Sequence, residues 1–214
     1  MIGIKTKDGV VLAVEKPIHS RLLKAKVNRR IQMIDSHVGA VGAGLAADCR
    51  AVVERARQEA ASHRENFEDK ISGGRLADRV ALYMQAYTLY ASVRPFGCTM
   101  LVAAVDKDGP HLHMIEPSGV MWSYKCCVAG KGRQTARSEL EKLNVAQLSM
   151  VQAVNEAARI LYKAHDENKD KDFELEISWI GPDSGNEHQL VPESVLQQAI
   201  AYGKAALDDT QMQM

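Results

Sequence analysis

The chain has 214 residues, with 27 Lys plus Arg against 27 Asp plus Glu and a hydrophobic share of 46%. A formal charge of zero argues against a dedicated nucleic-acid binder, whose basic face would tip the balance, and it leaves copies free to associate. No apolar run approaches the roughly 18 residues of a membrane helix, and the charged opening MIGIKTKDG predicts no secretory leader.

Residues 2–16, IGIKTKDGVVLAVEK, set Asp8-Gly9 between an alternating run and a Val/Leu-rich run, which predicts a β-hairpin. Residues 17–29 are polar, start at Pro17 and read as a connection. Residues 30–35 and 38–44 read as two further strands turned at Asp35 to His37. The second, VGAVGAG, carries glycines that mark close approach of another backbone or helix. At residue 45 the period changes. Leu45, Cys49, Val52, Val53, Ala56 and Ala60 fall on one face of a helix over 45–66.

Ser72-Gly73-Gly74 breaks the chain, and a second helix is predicted over 76–91 with the bulky face Leu76, Val80, Tyr83, Met84, Tyr87, Tyr90. Pro95 ends it, because proline disfavours helix in the residue before it. Strands follow at 98–106, 111–116 and 120–128, separated by Gly/Pro turns. Helices are predicted at 131–143 and 147–165, a strand at 173–180 and a closing helix at 192–206, with a frayed tail. Segregated runs of strands and helices imply an α+β chain of antiparallel sheets covered by helices, folded as one domain over 1–214.

Several stretches invite chemistry. Val128 to Thr135, VAGKGRQT, lacks the Walker pattern and reads as a tight strand-to-helix turn. His111-x-His113 shares a strand face but has no evident third metal ligand. The acidic run Asp166 to Asp172 lacks the order of a calcium loop. The four cysteines, Cys49, Cys98, Cys126 and Cys127, form no CxxC pair and read as reduced thiols of a cytosolic or nuclear protein. Neither a metal nor a cofactor is expected. The basic stretch Lys16 to Arg30 holds no aromatic residue, which weakens a single-strand nucleic-acid reading.

Taken together, IGIKTKDGVVLAVEK, RIQMIDSHVGAVGAGLAADCR, YTLYASVRPFG and MIEPSGV resemble the alpha-type subunits of the proteasome core particle, along essentially the whole chain. HDENKDKDFELEISWIG and GKGRQTARSELEKL resemble the type-3 class, the seventh position of the ring. The resemblance implies a four-layer α-β-β-α sandwich of two antiparallel sheets, the N-terminal nucleophile hydrolase fold. It implies a non-catalytic ring subunit that meets neighbouring alpha subunits, the beta ring and the C-terminal tails of regulatory particles, with no nucleic acid and no membrane.

Catalytic beta subunits of the same fold carry an N-terminal threonine, an aspartate and a lysine. Here Met1-Ile2 opens the chain, Glu15 takes the aspartate position and Arg30 the lysine position. An arginine, with a pKa above about 12, cannot act as a neutral base. The resemblance makes Arg30 the candidate for docking the carboxylate of an activator tail, and Gly44, Asp48 and Arg94 the candidate subunit-interface residues. An active beta-type threonine peptidase is the alternative. One departure stands out: alpha subunits open with a segment of the form YDxxxxxFSPxGRxxQVEYA, which forms the gate tail and ring cap. The expectation is a chain without that cap.

Overall fold

The computed structural model describes residues 1–18, 20, 22–24, 27–165 and 172–211, the last four as backbone only. Two five-stranded antiparallel sheets carry the fold. One runs β10-β9-β2-β1-β8 and the other β3-β4-β5-β6-β7. In the first, β1 (Ile2–Lys5), β2 (Val10–Pro17), β8 (Cys126–Val128), β9 (Phe173–Ile180) and β10 (Gln189–Leu190) are joined. In the second are β3 (Ile31–Asp35), β4 (Val38–Gly44), β5 (Cys98–Asp106), β6 (Gly109–Ile115) and β7 (Met121–Ser123).

Strand alternation sorts side chains into three apolar layers. On β2, Val10, Leu12 and Val14 point to the space between the sheets. Val11 and Ala13 point the other way, to α3 (Arg133–Leu140), α4 (Met150–Ala164) and α5 (Glu193–Gln211). On β5, Leu101 and Ala103 join the middle layer while Met100, Val102 and Ala104 meet α1 (Ala46–Phe67) and α2 (Gly73–Ala86). Strands buried on both faces read as continuous apolar runs, as CTMLVAAV does. The result is the expected α-β-β-α sandwich.

Several boundaries differ from the sequence reading. The stretch read as one strand over 120–128 is two, in different sheets. Residues 121–123 pair with β6, the chain crosses at Tyr124-Lys125, and residues 126–128 pair with β1. Leu45 does not join the buried face of α1. It is 55% exposed, precedes the helix in extended geometry and bonds through its N–H to the Gly97 carbonyl at 2.9 Å.

The second helix starts and stops earlier than predicted. Asp106 Oδ2 accepts the Gly73 N–H at 2.9 Å and so satisfies a donor at its first turn. After Ala86 the chain tightens, with Tyr87 N–H bonding the Met84 carbonyl and Thr88 N–H that of Gln85. Tyr87 stays packed on Phe96, ring centroids 4.6 Å apart, but Tyr90 is 65% exposed. The helix predicted over 147–165 begins at Met150, where Ser149 and Gln152 form a capping box; Val145–Gln147 is a separate short turn. Residues 166–171 of the acidic run lie outside the described residues.

The glycines of β4 do admit close neighbours. A Cβ on Gly42 would press on Cys49 Sγ of α1, and one on Gly39 would press on the His188 ring. Residue 42 therefore has to be small for α1 to lie flat on this sheet.

Candidate functional site

The site begins where the polar connection enters β3. The backbone N–H groups of Arg30 and Ile31 donate to the two carboxylate oxygens of Glu176, each at 3.2 Å. Glu176 stands on β9, in the other sheet, and faces the middle layer. Beside it Lys16 bonds Glu174 at 2.7 Å and lies 4.0 Å from Glu176. One carboxylate thus spans the two sheets and fixes where Arg30 leaves the backbone. FELEISWI alternates as predicted, yet its polar phase faces the interior: Glu176 and Ser178 are buried, and Ser178 meets His188 at 3.0 Å. Sequence reasoning missed Glu176; an acid in mid-strand of an otherwise well-alternating run was the available signal.

Beyond β3 lies a cavity of about 450 Å³ lined by Arg29, Arg30, Arg50, Arg57, Gln32 and Cys49 among others, with no carboxylate among its lining residues. Arg57 is steered by the Met33 carbonyl, which its Nε–H meets at 2.9 Å. Arg30 Nε is buried with no hydrogen-bond partner. Four arginines line this cavity, of which Arg57 is already paired with Glu54 at 3.3 Å, and a guanidinium's paired donors match a planar carboxylate.

The three interface candidates come together at the junction of β4 and α1. Gly44 has φ +128°, and a Cβ there would press on the Gly97 carbonyl oxygen. Asp48 accepts two bonds from Arg94, at 2.6 and 2.9 Å, and one from the Gly97 N–H at 2.8 Å. The Arg94 bonds, then the Gly97 N–H, hold the Asp48 carboxyl down to about 2 against the opposing effect of burial. Gly44, Asp48 and Arg94 are therefore one intramolecular clasp, with the Arg94 side chain still 65% exposed on its outer side.

Glu15 is not brought to Arg30. Its carboxylate meets His165 Nδ1 at 3.0 Å, at the end of α4. Thr6 is a turn residue: its hydroxyl accepts the Gly9 N–H at 3.1 Å and it is 3% exposed. His111 and His113 stack 6.0 Å apart but turn to Asp106 and Ser123 respectively. Among the described residues no group of three or more His, Cys, Asp or Glu side chains is placed to hold a metal. Gly130 and Gly132, at φ +101° and +70°, make the strand-to-helix turn ahead of α3.

Residues 1–180 match the family model described as proteasome subunit. The chain belongs to the proteasome subunit family. It is 50% identical over 207 residues to the probable proteasome subunit alpha type-7 of Schizosaccharomyces pombe, covering 97% of this chain and 82% of that one. The proteasome subunit alpha type-3 of Acanthamoeba castellanii is 47% identical over 208 residues, 97% and 82% of the two chains. That of Drosophila melanogaster is 44% identical over 210 residues, 98% and 83% of the two. Within the family this is an alpha-type subunit, a structural member of the 20S core and not a peptidase.

Proposed function

We propose that this alpha-type proteasome subunit folds as one domain and helps form the outer ring that gates substrate entry, in cytoplasm and nucleus. Its partners are neighbouring alpha subunits and the beta ring. Its arginine-lined cavity seats the C-terminal carboxylate of a regulatory-particle tail, with Arg30 as the principal contact. The observation that carries this reading is the acid-free wall of Arg29, Arg30, Arg50 and Arg57, where a buried Arg30 Nε has no partner. A bound carboxylate supplies the acceptor that this donor lacks. The clasp of Gly44, Asp48 and Arg94 stiffens the β4–α1 junction and presents Arg94 to a neighbouring subunit.

The test uses assembled particles and two tail peptides that differ only in a free or amidated C-terminus. The free acid should bind more tightly, and Arg30→Ala should weaken it about tenfold or more, in line with about 1.5–3 kcal/mol for a charge-assisted bond, while leaving the amidated peptide unchanged. Equal binding of the two peptides to the wild-type particle would overturn the docking role.

A further inference from the structure

The arginine-lined cavity carries more positive charge than one carboxylate can meet. Among the described residues, only Arg57 of its four arginines has a carboxylate partner, Glu54 at 3.3 Å. Arg29, Arg30 and Arg50 form no ion pair with any of them. Two acids neighbour these residues, and both are already engaged. Glu176 accepts the backbone N–H groups of Arg30 and Ile31, and Asp48 accepts Arg94 and the Gly97 N–H.

The backbone adds to the same field. Ala46, Cys49 and Arg50 line the cavity from the start of α1, a helix of 22 residues. Leu45, ahead of that helix, supplies no side-chain cap. The open N–H groups of a first turn and the positive end of the helix dipole both favour an anion. Arg30 Nε, buried and without a partner, is one more unmet donor.

We propose that this cavity binds a short chain of phosphates, a free inorganic di- or triphosphate, held by Arg29, Arg30, Arg50 and the first turn of α1. A carboxylate offers one negative charge and two oxygens. A phosphate chain offers several charges and acceptor oxygens on every side, and each guanidinium fork can engage two of those oxygens at once. The volume of about 450 Å³ falls within the roughly 300–1,000 Å³ of small-ligand sites. Among the described residues no aromatic side chain lines the cavity, so the base of a nucleotide finds no stacking platform. The phosphates are the part that is read. The site rests on this charge count and not on tail docking; where a tail does dock, the two anions compete for the same donors.

Isothermal titration of the full chain with sodium triphosphate, at low ionic strength and with a chelator present, tests this. One saturable site is expected, tighter than that for inorganic phosphate by about tenfold or more, as added charge-assisted contacts require. Arg50→Gln and Arg30→Gln should each weaken triphosphate binding about tenfold. Arg50 is exposed, so its variant keeps the fold and decides the matter even if Arg30→Gln does not fold. Arg137→Gln, whose pair with Glu141 lies outside the cavity, should bind like wild type. In amide NMR spectra triphosphate should shift the Ala46 signal. ATP without metal should bind no more tightly than triphosphate. No saturable binding, an affinity equal to that for inorganic phosphate, an unchanged affinity in Arg50→Gln, or tighter binding of ATP would each overturn the proposal. In assembled particles triphosphate should displace the free-acid tail peptide. If it binds with the stated arginine dependence yet displaces nothing, tail docking in this cavity falls and the phosphate site stands.

Discussion

Glu176→Ala tests the physical link between the two sheets. The carboxylate accepts the N–H of Ile31, a residue 3% exposed, and that of Arg30, which is only half-buried. Truncation removes both acceptors at once. A buried backbone N–H left unpaired costs about 1–3 kcal/mol. The Ile31 N–H bears that in full, while the Arg30 N–H recovers part of it from water. The expected loss is therefore about 2–4 kcal/mol. Lys16 keeps Glu174 as its nearer partner, so its charge is not stranded.

Urea unfolding of the full chain, with the slope compared as well as the midpoint, reads this directly. Glu141→Ala is the control: its ion pair with Arg137 is exposed on both sides, 64% and 75%, and an exposed ion pair contributes less than about 1 kcal/mol. Glu176→Gln should fall between the two, because its amide oxygen keeps one acceptor. If Glu176→Ala cost no more than Glu141→Ala at unchanged slope, the claim that Glu176 anchors β3 would be wrong. A second consequence follows for the site. Glu176→Gln should weaken binding of the free-acid tail peptide more than of the amidated one, because the Arg30 backbone is no longer fixed.

His188 predicts a pH dependence. Burial lowers its pKa from 6.5 to about 4, so the unfolded chain binds a proton that the folded one refuses. That stability is present above pH 6.5 and is lost as pH falls from there to about 4, by about 3 kcal/mol in all. In His188→Gln this window of the stability–pH curve should flatten. The Asp48 carboxyl has the same sign in a lower window: its folded value of about 2 lies below the ordinary 3.8, so its contribution is present above pH 3.8 and is lost as pH falls towards 2. Arg94→Gln should move the acid-unfolding midpoint, followed by circular dichroism, to higher pH. Gly44→Ala must hold φ +128° and displace the Gly97 carbonyl; it should cost at least about 1–3 kcal/mol in thermal unfolding, whereas Gly185→Ala, at φ +65° with open space around it, should cost less.

The sequence by itself determined the order of elements, the fold class and the family. Those depend on local period and on runs of residues: Asp8-Gly9 between two apolar runs, the helical spacing of Cys49, Val52, Val53, Ala56 and Ala60, and the alternation of FELEISWI are all legible one segment at a time. It also named Arg30, Gly44, Asp48 and Arg94, through the family they resemble. What it did not show is which residues meet. That Asp48 and Arg94 face each other depends on α1 and the end of the α2 region arriving at one place from 46 positions apart. That residues 121–128 split between two sheets depends on β1 and β6 both offering open edges to the same short segment. Above all, the alternation of FELEISWI tells which residues share a side but not which side is water. Only the second sheet, stacked over β9, turned Glu176 into a buried acceptor and set Arg30 at the wall of an acid-free cavity.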